Sequence, residues 1–217
     1  MSNEERYSRQ KDIVPAERIA ACKATVIGVG AIGRQVALQL TAIGIPWLQL
    51  VDFDVVEESN LASQGYLEED LGELKVEATA ELCGKINSSA EIQVLPRRFR
   101  RSVEVGNVVF CCVDSIQVRQ LIWGAVGEEV LFFCDGRMSA EVLRILTACD
   151  SDSRYHYPKT LFAAEEAYAG SCTAKTTIYC ANIAAGLMVS QFTRFLRCLP
   201  IDPDLQFNLL SSELSVT

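Results

Sequence analysis

Apolar positions fall into two kinds of block along this chain: short continuous runs, and longer stretches at helical spacing. Ala24 to Val29 is a short β-rich run that predicts a strand. From Ala31 to about Ile43, the residues Ile32, Val36, Leu40 and Ile43 recur at helical spacing, and Gly44 and Pro46 stop that helix. Trp47–Val51 predicts the next strand, Lys75–Asn87 a helix and Glu91–Leu95 a strand. Val108–Val113 is apolar throughout, as a strand buried on both faces should be. Ile116–Val126 predicts a helix, Val130–Cys134 and Ala140–Thr147 two more strands, and Thr176 to about Leu199 a last helix ended by Pro200. Strands alternating with helices predict an α/β fold with a doubly wound, mostly parallel sheet.

Two segments break the alternation. Phe53–Gly72 is polar, irregular and longer than the usual connection, so it reads as a functional loop. Asp150–Gly170 is polar and aromatic without clear period, and reads as an exposed excursion.

Composition narrows the picture only a little. The 217 residues, 49% of them hydrophobic, suffice for one sizeable core or a domain with an appendage. A net charge of -8 argues against a nucleic-acid partner. The first twenty residues are charged and lack an apolar run, so no signal peptide is expected, and no stretch is apolar enough to span a membrane. The nine cysteines are odd in number and include no C-x-x-C spacing, which predicts free thiols in a reducing cytoplasm. With His156 the sole imidazole, no zinc site is expected.

The first candidate chemistry is the Gly28-Val29-Gly30-Ala31-Ile32-Gly33 loop between the first strand and its helix. One glycine permits the tight turn, the next lets phosphate approach the backbone, and the third lets helix pack on strand. The helix N-terminus offers N–H groups to phosphate oxygens, and Asp52, ending the second strand, can bind ribose hydroxyls. This fingerprint serves NAD and ATP alike.

Three further features go beyond a dinucleotide fold. Arg6-Tyr7-Ser8-Arg9-Gln10 precedes the first strand. Asp52-Phe53-Asp54-Val55-Val56-Glu57-Glu58-Ser59-Asn60-Leu61 runs out of the second. Lys75 opens a helix, and Asp114 stands at the tip of the strand Val108–Val113. With these elements in this order, the chain resembles the ThiF/MoeB family, bacterial relatives of ubiquitin-activating enzymes, from Arg6 to about Asp135 and more loosely through the final helix.

The resemblance implies a Rossmann-like ATP-binding half within a single adenylation domain over residues 1–217, with 150–172 exposed near the site. It implies ATP- and Mg²⁺-dependent adenylation of the C-terminal glycine carboxylate of a ubiquitin-like or sulfur-carrier protein. Gly28, Gly30, Ala31 and Gly33 would line the nucleotide. Asp52 would hold the ribose with Asp54 in support, Asn60 and Lys75 would contact phosphates, and Asp114 would hold Mg²⁺. Arg9 would reach ATP from the neighbouring subunit, which implies a homodimer. Such a reaction needs negative charge neutralised at several oxygens, and these residue types supply that. Each also has a plain structural role open to it. Lys75 could be a solvated lysine, Arg9 a surface charge, and Asp114 the cap of the following helix.

The chain departs from the family at one position that matters. The family reads N-L-x-R-Q where this chain has Asn60-Leu61-Ala62-Ser63-Gln64, so Ser63 replaces an arginine. Arg97, Arg98, Arg119 and Arg137 are the candidate substitutes. The change also keeps open a non-catalytic subunit of a heterodimeric activating enzyme. An NAD(P)-dependent oxidoreductase would leave Lys75 and Asp114 unexplained. Finally, Gly170-Ser171-Cys172-Thr173-Ala174-Lys175 places Cys172 before a helix and beside a lysine, which suits a thiol nucleophile for a second step. Cys111, Cys112 and Cys180 fall in apolar elements and read as core.

Overall fold

In a computed structural model, which describes residues 3–161 and 176–217, the continuous apolar runs become the centre of one eight-stranded sheet. Its strands are β1 (Lys23–Ile27), β2 (Trp47–Asp52), β3 (Glu91–Pro96), β4 (Val108–Cys111), β5 (Phe132–Ser139), β6 (Val142–Ala148), β7 (Asp204–Asn208) and β8 (Glu213–Val216). They lie in the order β3-β2-β1-β4-β5-β6-β7-β8. The first five are parallel, and β5 to β8 pair antiparallel. The helices are α1 (Asn3–Arg6), α2 (Ala16–Ala20), α3 (Ala31–Ile43), α4 (Glu58–Gln64), α5 (Lys75–Ile86), α6 (Ile116–Val126), α7 (Ser151–His156) and α8 (Ile178–Leu196).

Strand alternation divides the core in two. Val26, Leu48, Leu50, Phe110 and Phe132 pack with Val36 and Leu40 of α3, Val76 of α5, and Met188 and Phe192 of α8. Ile27, Val51, Val109 and Phe133 point to the other face, under Ile122 and Val126 of α6, and meet Phe99, Val103 and Tyr157. Burial on both faces is why β1 and β4 read as unbroken apolar runs. The doubly wound expectation holds for this half.

The differences from the sequence reading lie at its polar segments. Phe53–Gly72 is not irregular throughout: it contains α4 and a 3-10 turn over Glu68–Asp70. Helix α4 carries no apolar period; a reciprocal cap between Glu57 and Asn60 starts it, and Gly65, at φ 75°, ends it. The first part of the expected excursion forms α7 and a 3-10 turn, and it is not wholly exposed, because Ser153, Tyr157 and Thr160 turn inward. The expected strand at Ala140 starts at Val142, after a turn in which Ala140 has φ 50°. The hairpin β7–β8 is new. Among the described residues no helix is long and apolar enough to cross a membrane.

Candidate functional site

The three glycines do separate physical work. Gly28 has φ 86°, and a Cβ there would lie 2.7 Å from the carbonyl oxygen of Cys112, so the end of β4 presses against the turn. A Cβ on Gly33 would fall 1.8 Å from the Gly28 oxygen, which makes this the position where α3 closes on the loop. Gly30 is different: the nearest atom to its Cβ position is Gln64 Oε1 at 3.8 Å. The loop is therefore open at Gly30, beside Ala31 at the first turn of α3, where an anion would approach.

Asp52 closes the second strand. Its Oδ2 accepts from Val29 N–H at 2.6 Å, and its Oδ1 accepts from the N–H groups of Phe53 and Asp54 at 2.7 and 3.0 Å. The carboxylate thus ties the glycine loop to the exit of β2, and what it offers a ribose is its remaining lone pairs. Asp54 pairs with Lys75, Nζ to Oδ2 at 3.4 Å. Lys75 is 6% exposed, so it is not a solvated helix-start lysine. Its own N–H bonds the Asp54 carbonyl, which fixes the second strand's exit to the start of α5. Asn60 is buried, and its Oδ1 accepts from Glu57 N–H in the α4 cap.

Asp114 is exposed at the turn between β4 and α6, and among the described residues its carboxylate has no partner. The helix cap falls to Ser115, whose Oγ accepts from Val118 N–H. Asp114 is thus free of the structural role that sequence left open to it.

Tyr66 was missed in the sequence, where nothing but a lone aromatic in a polar stretch marks it. Its hydroxyl donates to Val29 O at 2.6 Å and lies 3.2 Å from Thr79 Oγ1, buttressing the glycine loop from below. Burial pushes its pKa well above the ordinary tyrosine value, so it remains a donor. Arg34, also missed, is buried with its guanidinium 4.4 Å from the Tyr66 ring and 3.9 Å from Asp70. It holds the loop after α4 against α3.

Ser63 turns away from ligand chemistry, its Oγ donating to Ser59 O at 2.8 Å. Of the four candidate substitutes, Arg119 and Arg137 are both committed to the buried Asp135, each through Nε at 2.8 Å. Tyr157 donates a third bond to that carboxylate, its hydroxyl held protonated by burial and by the charge of Asp135. Arg98 stacks on Phe53, 3.7 Å from the ring centre, beside Asp52. Arg97 is exposed.

Arg9 is exposed in a 3-10 turn held at the far end of α3. Tyr7 packs on Gly44, Gln10 Nε2 donates to Ile43 O, and Arg6 bonds Asn87. Since α3 rises about 1.5 Å per residue, its length, on the order of 20 Å, separates this turn from the glycine loop of the same chain.

Cys172 lies outside the described residues. Cys111 and Cys134 lie in the sheet and Cys112 just beyond β4; burial pushes their thiols up, Cys111 to about 12, so none is a thiolate near neutral pH. Cys180 is core, as expected.

A glycine turn open at Gly30, with a carboxylate at or beyond the end of the strand on either side and a buried lysine, is the arrangement of a nucleotide-binding doubly wound domain. The chain belongs to the ThiF family, whose sequence model matches residues 7–210. It is 36% identical over 129 residues to the adenylyltransferase and sulfurtransferase MOCS3 of Mus musculus, a match covering 54% of this chain and 28% of that one. With the SAMP-activating enzyme E1 of Haloferax volcanii it shares 31% over 129 residues, 54% of this chain and 48% of that. The chain thus spans less than half the length of either relative. Among solved structures, PaaA superposes with a TM-score of 0.82 at 17% identity, covering 100% of this chain and 74% of its own. E. coli MccB with ATP gives 0.78 at 17%, covering 99% and 72%. At that identity these structures establish the fold.

Proposed function

We propose that this chain, read as a single adenylation domain over residues 1–217, transfers AMP from ATP to the C-terminal carboxylate of a ubiquitin-like or sulfur-carrier protein. The observation that carries the proposal is one edge of the sheet. The opening at Gly30, Asp52, the Asp54–Lys75 pair and Asp114, without a partner among the described residues, all stand at the carboxyl ends of β1, β2 and β4. The relatives' printed names, adenylyltransferase and SAMP-activating enzyme, point the same way.

In the reaction a carboxylate oxygen of the carrier attacks the α-phosphorus. A bond forms between them, the bond from the α-phosphorus to the bridging oxygen breaks, and pyrophosphate leaves with that electron pair. The first turn of α3 would receive phosphate oxygens on its free N–H groups. Lys75 would face the departing phosphates, its charge held in place by Asp54. Asn60 would present its Nδ2 to the same oxygens, and Asp52 would orient the ribose.

Asp114 offers one exposed carboxylate, and among the described residues no trio of His, Cys, Asp or Glu is placed to cage a metal. That donor set suits Mg²⁺ held by one carboxylate and the substrate's own phosphates, where it would neutralise charge. Arg9 stands too far from its own glycine loop, so we assign it to the site of a second copy in a homodimer. Cys172 is our candidate for a following step in which its thiolate attacks the acyl carbon and AMP leaves.

ATP–pyrophosphate exchange with a Gly-Gly-tailed carrier tests the proposal, and no exchange with any such carrier would sink it. Cys172→Ala should keep exchange and lose a thiol-reducible adduct; an adduct that persists removes Cys172 from the scheme. Ser63 favours a second reading, a non-catalytic subunit, because the arginine candidates at 119 and 137 are committed to Asp135. Thermal stabilisation by Mg-ATP without exchange would select it.

A further inference from the structure

We infer that Arg119 is a positioning residue of this site, setting where the Asp114 carboxylate stands by clamping its turn to the middle of β5. The inference rests on the adenylation reading and adds a residue that never touches nucleotide. Arg119 lies in the first turns of α6 and is buried. Its Nε donates to Asp135 Oδ1 at 2.8 Å, its Nη2 to Gly136 O at 3.1 Å, and its Nη1 to the carbonyl of Asp114 at 3.0 Å. One planar guanidinium thus joins the turn after β4 to the middle of the adjacent parallel strand β5, which a lysine cannot do.

Asp135 does not need Arg119 for its charge. Arg137 Nε and the Tyr157 hydroxyl already bond its other oxygen at 2.8 and 3.0 Å. What Arg119 adds is the link to Asp114. The same strand end presses on the glycine turn through Cys112 O, so the height of this turn sets the gap between the Asp114 carboxylate and the loop. Small misplacements of a ligand-bearing group are costly to transition-state geometry.

The test is a Mg²⁺ titration of ATP binding by calorimetry on the whole chain, with pyrophosphate exchange in parallel. Arg119→Gln leaves Asp135 paired with Arg137, so no unpaired charge is buried. It should bind metal-free ATP as the wild type does, while its Mg²⁺ midpoint rises about tenfold, the worth of one charge-assisted hydrogen bond. Arg119→Lys should shift it likewise, and serves if the glutamine variant does not fold. Tyr157→Phe loosens the same cluster without touching Asp114, and should keep the wild-type midpoint even if it melts lower. An unchanged midpoint in the Arg119 variants, or an equal shift in Tyr157→Phe, overturns the inference. If the wild type binds no ATP, the adenylation reading falls and takes this one with it. If the wild type binds and exchanges but Arg119→Gln keeps its midpoint, only the inference falls.

Discussion

Asp114 and Asp135 follow the same geometry and end in opposite conditions. Asp114 lies three residues beyond β4, and Asp135 lies within β5 where its parallel pairing with β4 ends, both in the middle of the sheet. Asp135 is 0% exposed and takes hydrogen bonds from Arg119, Arg137 and Tyr157. Asp114 is exposed and takes none among the described residues. The same division runs through the two halves of the sheet. The parallel half keeps groups open at its edge, at Gly30 and Asp114. From β5 onward the buried carboxylates are paired, as at Asp135 and again at Asp204, which Arg144 grips with two bonds. A buried carboxylate with both oxygens bonded to fixed neighbours can hold the fold but has little left to offer a ligand. A carboxylate left free at a strand end costs the fold little and remains available.

The largest effect should come from Asp135→Ala. It strands two guanidiniums without their counter-charge, and removing one partner of a buried ion pair costs roughly 3–5 kcal/mol. Thermal and urea melts should show that loss. Asp114→Ala should melt within about 0.5 kcal/mol of wild type, as exposed substitutions do. Its pyrophosphate exchange should nonetheless fall by about a hundredfold or more, the usual loss for a group neutralising reaction charge. If Asp114→Ala melts like Asp135→Ala, the contrast between the two strand ends is broken.

How much of this could be seen in the sequence follows from where the constraint lies. The parallel strands are buried on both faces, so Val108–Val113 and Ala24–Val29 announced themselves, each overshooting its strand by two residues into the ligand-side turn. Asp52 stood out because it ends a strand, whereas the roles expected of Lys75, which opens α5, and of Asp114, beyond β4, came through the family resemblance. Helix α4 escaped because a cap between Glu57 and Asn60 makes it, without an apolar stripe. The strands of the β7–β8 hairpin escaped because β8 is exposed throughout and shows no burial pattern. Arg119 stood among four candidate cations, and only a contact sixteen positions away in sequence, to Asp135, removes it from the phosphates. Long-range pairing of buried charges leaves no local signature, and the sheet from β5 onward is built on it.

The glycine loop contains the same contrast within six residues, and it predicts a smaller, separable effect. Gly33→Ala forces a Cβ into the Gly28 carbonyl, so the turn or α3 must shift, at about 1–3 kcal/mol for overpacking. Gly30→Ala meets only the end of the Gln64 side chain at 3.8 Å and should leave the melt unchanged. Its methyl group would instead occupy the approach to the loop, so ATP affinity should fall while the fold does not. Calorimetry and melting on the two variants separate filled space from open space. A Gly30→Ala protein that binds ATP as tightly as wild type would remove the loop's opening from the site.

The smallest effect sharpens the comparison at a carboxylate that is saturated yet close to the surface. Burial alone would raise the pKa of Asp204, but the hydrogen bonds and charges of Arg144 and His156 outweigh it and hold the folded value below the ordinary 3.8. A depressed folded pKa means the pairing contributes its full stability above the unfolded value, and loses it as pH falls through the folded one. The stability gap between wild type and Asp204→Asn should therefore be constant from neutral pH down to about 4 and close only below that. His156→Asn should narrow that gap less than Arg144→Gln does, because Arg144 bonds both oxygens. Asp114, exposed and without such a partner among the described residues, should show a much smaller gap between wild type and Asp114→Asn in the same melts. A gap for Asp204 that His156→Asn abolishes and Arg144→Gln leaves intact would assign its stabilisation to His156 rather than Arg144, and a gap for Asp114 of similar size would mean that its carboxylate, too, is part of the fold.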